Sequence, residues 1–321
     1  LGQNTTADNN TAVGRNALTA NTTGTENVAV GALALDANTT AHQNTAVGFE
    51  ALTANTTGAS NVALGTNALT ANTTASNNTG IGKLALAANT TADNNTAVGY
   101  LAATNNTTGT RNTSVGRSSL AANTIGSHQT ALGFGALANS TTANDNTAVG
   151  YEALNANTTG LQNVGVGCSA LAAATGAHNN VAVGHHAMVA TTTGSFNTGV
   201  GLLALAANTT GSQNVAYGYR ALASNTTASF NTAIGDGCLD TNTTGTNNTA
   251  VGSDALAANT TADNNTAVGD DALKANTTGT QNVAFGSGAL TSNTTANYNN
   301  AIGAFTLRDN TTGANNTALG H

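Results

Sequence analysis

The residues able to do chemistry are few in this chain, and their spacing limits what they can do. His185 and His186 are adjacent, with His178 a few residues earlier. Without a further ligand in the pattern they read as exposed corner residues rather than a metal centre. Asp236, Asp254, Asp270 and Asp271 recur at nearly the period of the chain described below. Stacking would bring such like charges within roughly 5–7 Å of one another. A bound Ca²⁺ would relieve the repulsion, since that ion favours several carboxylate oxygens. The plainer reading is a solvated acidic patch, so Ca²⁺ stands as a weak candidate cofactor and no other is expected. Asn21, Asn38, Asn55, Asn72 and Asn89 each have Thr two places on, the pattern of an N-glycosylation acceptor. A turn that wants Asn and a ladder that wants Thr would give the same pattern, and an inward Asn carries no sugar. A catalytic site needs a nucleophile, a base and an orienting group converging in a cleft. The scattered His and Asp do not suggest one, and no enzyme activity is expected.

What must position these residues is a repeat. Asn10-Thr11-Ala12-Val13-Gly14 returns as Asn27-Val28-Ala29-Val30-Gly31 and again as Asn44-Thr45-Ala46-Val47-Gly48, 17 residues apart each time (27 − 10 = 44 − 27 = 17). The phase still holds at Asn316-Thr317-Ala318-Leu319-Gly320. A fixed period of this size marks a repeat architecture. We number the unit from its first Asn: position 1 is Asn, 2 Thr or Val, 3 Ala, 4 a large apolar residue, 5 Gly, 8 Ala, 9 Leu and 12 Asn, followed by Thr-Thr and Gly or Ala. Apolar residues at helical spacing are missing. The β-branched run at positions 2 to 4, bounded by Asn and Gly, predicts a short strand, and Ala-Leu-x-Ala-Asn-Thr-Thr predicts a second. Gly and Asn supply the turns between them.

The expected fold is all-β: a parallel β-solenoid of 17-residue coils, two short strands per coil and about nineteen coils, forming one continuous domain over residues 1–321. One coil alone buries too little to offset its chain entropy. Stacked, the position 4 residues are expected to face the position 9 leucines across a thin core. Asn at positions 1 and 12 is expected to form amide ladders between coils. The stack predicts a rod on the order of 90 Å long at the strand spacing. The chain opens and stops in mid-repeat, so it is expected to be part of a longer one. Its ends either meet caps elsewhere or stack on other copies.

Composition fits this frame. Charged residues are 7%, aromatics 3%, Trp and Pro are absent, and the net charge is −7. Without periodicity such a composition would suggest disorder. With 7 Lys and Arg in all and no basic stripe, there is no electrostatic footprint for nucleic acid. No apolar run approaches the length of a membrane span. Cys168 and Cys238 lie four repeats apart, roughly 19 Å at the strand spacing, and are expected to be free thiols.

The Asn-Thr-Ala-Val-Gly motif resembles the head repeats of trimeric autotransporter adhesins, whose units build a left-handed parallel β-roll. With Ala-Leu and Asn-Thr-Thr-Gly it is still more similar to repeat arrays of phage tail-fibre and other surface-fibre proteins. The resemblance covers the whole chain. It implies a left-handed solenoid, an extracellular place on a cell or virion surface, and self-association as a homotrimer; the uncapped ends of the repeat allow an end-to-end or lateral filament instead.

The expected function is therefore a structural element of an extracellular fibre or adhesin-like appendage. The alternative is a binding module, with corner residues recognising a host or cell-surface glycan or receptor. Phe134 and Tyr151, at position 6 of neighbouring coils, are its best candidates. Ice binding is less favoured. Positions 13 and 14 are adjacent and point to opposite faces, which leaves one Thr rank per face.

Overall fold

The computed structural model describes residues 2–321. They fall into two compact units, one ending at Leu161 and the other running Gln162–His321. In the first unit the strands run from β1 (Thr11–Val13) to β9 (Thr147–Val149), one three-residue strand per coil. Neighbours pair in parallel one coil apart, with Thr11 opposite Val28, Ala12 opposite Ala29 and Val13 opposite Val30. The register is unchanged at Thr130 and Thr147. The second unit repeats the plan from β10 (Val164–Val166) to β19 (Thr317–Leu319), starting with Val164 opposite Val181. The fold is the expected parallel β-solenoid. Among the described residues there is no helix, and so none long and apolar enough to cross a membrane.

The second strand expected in each coil does not form. Positions 7 and 9 both take the left-handed conformation, as at Glu50 (φ 53) and Leu52 (φ 55), and an extended run is impossible through them. The segment is a compact series of turns instead. It still stacks by backbone hydrogen bonds: Leu52 N–H donates to Ala68 O at 3.0 Å, Ala54 to Thr70 O at 3.2 Å, and Thr56 to Thr73 O at 2.9 Å. A left-handed leucine costs roughly 1–2 kcal/mol. Burying its side chain contributes about as much or more. Leu52 and Leu69 are fully buried, so burial outweighs the strain.

The core is thinner than the pattern predicted, and its inward set differs. Ala at position 3 and Leu at position 9 are buried in coil after coil, as at Ala46, Ala63, Leu52 and Leu69. The position 4 residues point outward: Leu64 is 45% exposed and Tyr217 59%. Positions 2 and 4 share one face of the strand while 3 takes the other. The interior side is already filled, since a Cβ placed on Gly80, at position 3, would stand 3.2 Å from Leu69 Cγ. A wall that close admits a methyl group and excludes Val. Gly at position 5 has a backbone reason. Gly48 sits at φ 140, and a Cβ there would lie 2.6 Å from Gly65 O in the next coil.

Candidate functional site

Asn fills the two polar columns of the interior. At position 12, Asn38 Nδ2 donates to Asn21 Oδ1 at 2.9 Å, Asn55 to Asn38 at 3.1 Å, and Asn72 to Asn55 at 2.9 Å. Each also donates within its own coil, as Asn38 does to Ala41 O. At position 1, the Asn44 backbone N–H donates to Asn27 Oδ1 at 3.0 Å, while Asn27 Nδ2 reaches the same Ala41 O at 2.9 Å. The position 15 carbonyl thus ties the two columns together. These are the expected amide ladders, and they remove the glycan acceptors. Asn21, Asn38, Asn55, Asn72 and Asn89 are fully buried, and their amide hydrogens are committed to the coil. A folded coil offers no Nδ2 for a sugar. Exposed acceptor patterns lie instead at position 17, as in Asn94-Asn95-Thr96, where Asn94 faces solvent.

Outside, each unit presents a sheet face of two ranks. Position 2 supplies a mixed Thr and Val rank and position 4 an apolar one. In the first unit Val62 and Leu64 are exposed, and in the second Val181, Val183, Val283 and Phe285. Sequence parity contained this face, but hydrophobicity alone assigned its larger rank to the core. Thr at position 13 has its hydroxyl occupied, as Thr22 Oγ1 donates to Thr39 O at 3.0 Å.

The corners form ladders of their own. At position 6, Phe134 and Tyr151 stack with centroids 5.3 Å apart and planes 8° from parallel. The Arg117 guanidinium lies 5.6 Å from the Phe134 centroid and 5.9 Å from that of Tyr100. Aromatic and cationic faces are therefore spent on one another. Both faces of Phe134 are covered, which leaves its edge to meet a ligand.

Among the described residues, no three of the four aspartates gather as a group that could hold a metal ion. Lys274 Nζ stands between two of them, 2.9 Å from Asp254 Oδ2 and 2.9 Å from Asp271 Oδ1. Its hydrogen bonds to Asp254 and then Asp271 hold its pKa above the usual lysine range. The repulsion between Asp254 and Asp271 is relieved by the chain itself. Lys274 stands at position 10, three residues after Asp271 and one coil and three residues after Asp254.

The histidines fare differently. Cys168, His185 and His186 offer ligand atoms that all lie within 4.8 Å of one another. The His185 and His186 rings are 3.9 Å apart. His178, at position 16, is not of this group. Cys168 and His185 share position 6 of successive coils (185 − 168 = 17), so the stacking of coils sets them side by side. Both cysteines are free, as expected. Cys238 is buried at position 8, which pushes its thiol up to about 11.

No family model matches this chain, and no curated protein matches it either.

Proposed function

We propose that this chain is a structural repeat element of an extracellular fibre or surface appendage, and that copies associate laterally through the outer sheet face, three to a bundle. The observation that carries this reading is the two-rank Thr/Val and apolar face repeated on coil after coil. Exposed apolar surface of that continuity favours burial against a partner. A partner must match a repeat of about 4.8 Å to use every rank, and another copy of the same solenoid does so without adjustment. The low charge of the face removes like-charge repulsion between copies. The reading assigns no catalysis.

Light scattering on the eluted full chain tests it. The expected mass is that of three chains, and Val62→Lys/Leu64→Lys should weaken the association with the circular dichroism unchanged. A wild-type monomer at micromolar concentration would overturn the reading.

A second reading, recognition of a glycan at a corner, has the Tyr100–Arg117–Phe134–Tyr151 ladder behind it. Because the Phe134 faces are covered, a sugar would have to be held by ring edges, the Tyr hydroxyls and the guanidinium. Glycan-array binding that disappears in Arg117→Ala would favour it over the fibre element.

A further inference from the structure

We propose that Cys168, His185 and His186 form a zinc site with one coordination position open to solvent. The inference is independent of the fibre reading, and begins from how the coil is built. Parallel stacking in strict register places any two position 6 side chains of successive coils one strand spacing apart, about 4.8 Å. Cys168 and His185 are such a pair. The backbone fixes their relation, for His186 N–H donates to Cys168 O at 3.0 Å.

The third ligand depends on the left-handed conformation. In an extended chain, adjacent residues send their side chains to opposite faces. His186 has φ 55, and its ring lies 3.9 Å from that of His185, tilted by 34°. The turn at position 7 brings the second imidazole round to the side of the first. All three ligand atoms then lie within 4.8 Å. Bonds of about 2.0–2.3 Å at a tetrahedral angle require separations of roughly 3.3–3.8 Å. Rotation about the side-chain bonds closes that difference with the backbone unmoved, because all three residues stand on the corner: His185 is exposed, Cys168 and His186 half-buried.

The donor set selects the metal class. One thiolate with two imidazoles suits a borderline-soft, tetrahedral divalent ion and does not suit Ca²⁺ or Mg²⁺, which take oxygen. Three protein ligands leave a fourth place for water. Cys238, the other thiol, is buried at position 8, away from the corner, and cannot substitute. Position 6 in the next coil is Leu202 and position 7 is Leu203, so the two imidazoles have no competing acidic partner there.

Cobalt substitution of the reduced, metal-stripped full chain tests the site. The expected result is one Co²⁺ per chain with a thiolate-to-cobalt charge-transfer band, abolished when Zn²⁺ displaces the cobalt. Cys168→Ser should remove the band. His185→Asn and His186→Asn should each weaken binding by at least the ~10–100-fold that loss of a supporting outer partner costs. Cys238→Ala and His178→Asn should leave it unchanged, and thermal melts of the apo Cys168, His185 and His186 variants should match the apo wild type. Saturation only above ~1 mM, where the binding free energy is about 4 kcal/mol, would overturn the proposal. So would a charge-transfer band that survives in Cys168→Ser.

Discussion

Gln129 Nε2 donates to Ser140 Oγ at 2.8 Å, inside a coil where nearly every other repeat has Asn at both positions. Ser140 is too short to continue the position 12 amide ladder, and Asn123 Oδ1 is left without a partner. Gln129, one methylene longer than Asn, reaches across to the hydroxyl and also donates to Ala143 O at 2.7 Å. The two departures from the repeat compensate one another.

That pairing predicts strong coupling. Ser140→Asn alone crowds the Gln129 amide, and Gln129→Asn alone strands the Ser140 hydroxyl, so each should lower the melting temperature. The double variant restores the ladder, supplies Asn123 Oδ1 with a donor, and should equal or exceed the wild type. A double-mutant cycle should give a coupling of roughly 0.5–3 kcal/mol. Additive effects would show the compensation to be incidental.

Gly48→Ala should be far more damaging than Gly58→Ala. The first places a methyl group at φ 140 and 2.6 Å from Gly65 O, a backbone strain on the order of 1–3 kcal/mol before any clash is counted. The second lies outside the left-handed region; its Cβ would also press on Ala75 O, but Ala41 and Ala75 at the same position 15 of neighbouring coils show that a small backbone shift admits a methyl group there. Urea denaturation of the two variants separates them.

Leu69→Ala should destabilise by about 2–5 kcal/mol, as loss of a fully buried leucine does. Leu64→Ala, five residues earlier and equally apolar, should cost under half of that because its side chain faces outward. Comparable losses would restore the position 4 rank to the core.

Here the legible and the illegible divide. Period, parallel register, strand position and amide ladders all follow from repetition, and one sequence displays repetition directly. Which way Leu64 points depends on how wide the interior is. That width is set by the left-handed turns at residues such as Glu50 and Leu52, conformations that neither residue type advertises. For the same reason two strands per coil were expected where one forms. The glycan pattern at Asn38 was legible as chemistry, but its burial followed from the ladder. The Lys274 bridge and the Cys168–His185 pair were both in the sequence, at offsets that mean contact only once the coil is closed.

Burial of the Cys238 thiol gives a pH signature. Its pKa rises in the folded chain from 9.0 to about 11, chiefly because burial penalises the thiolate. The protonated form is the one the fold accommodates, so its contribution is complete below pH 9.0 and is lost as pH climbs toward about 11. The melting temperature of the wild type should therefore fall more steeply across that window than that of Cys238→Ala, which carries the residue usual at position 8. Parallel curves would contradict it. Thiol reagents should modify Cys168 and spare Cys238 in the native protein.

Lys274→Met should expose the repulsion between Asp254 and Asp271. Because the group is about 40% exposed, the loss should stay within about 1 kcal/mol. It should shrink at molar salt, where screening acts over about 3 Å. Melting at low and high ionic strength reads both.

The amide column points one way. Asn38 donates backward to Asn21, whereas the Thr22 hydroxyl donates forward to Thr39 O. The leading and trailing surfaces of a coil therefore differ, with acceptors and donors exchanged between corners, and they complement each other under translation but not under reversal. A coil inserted or removed as a whole finds the same neighbours waiting on either side. Copy number can drift by recombination between repeats while every interface stays as it was, so length can evolve separately from stability per coil.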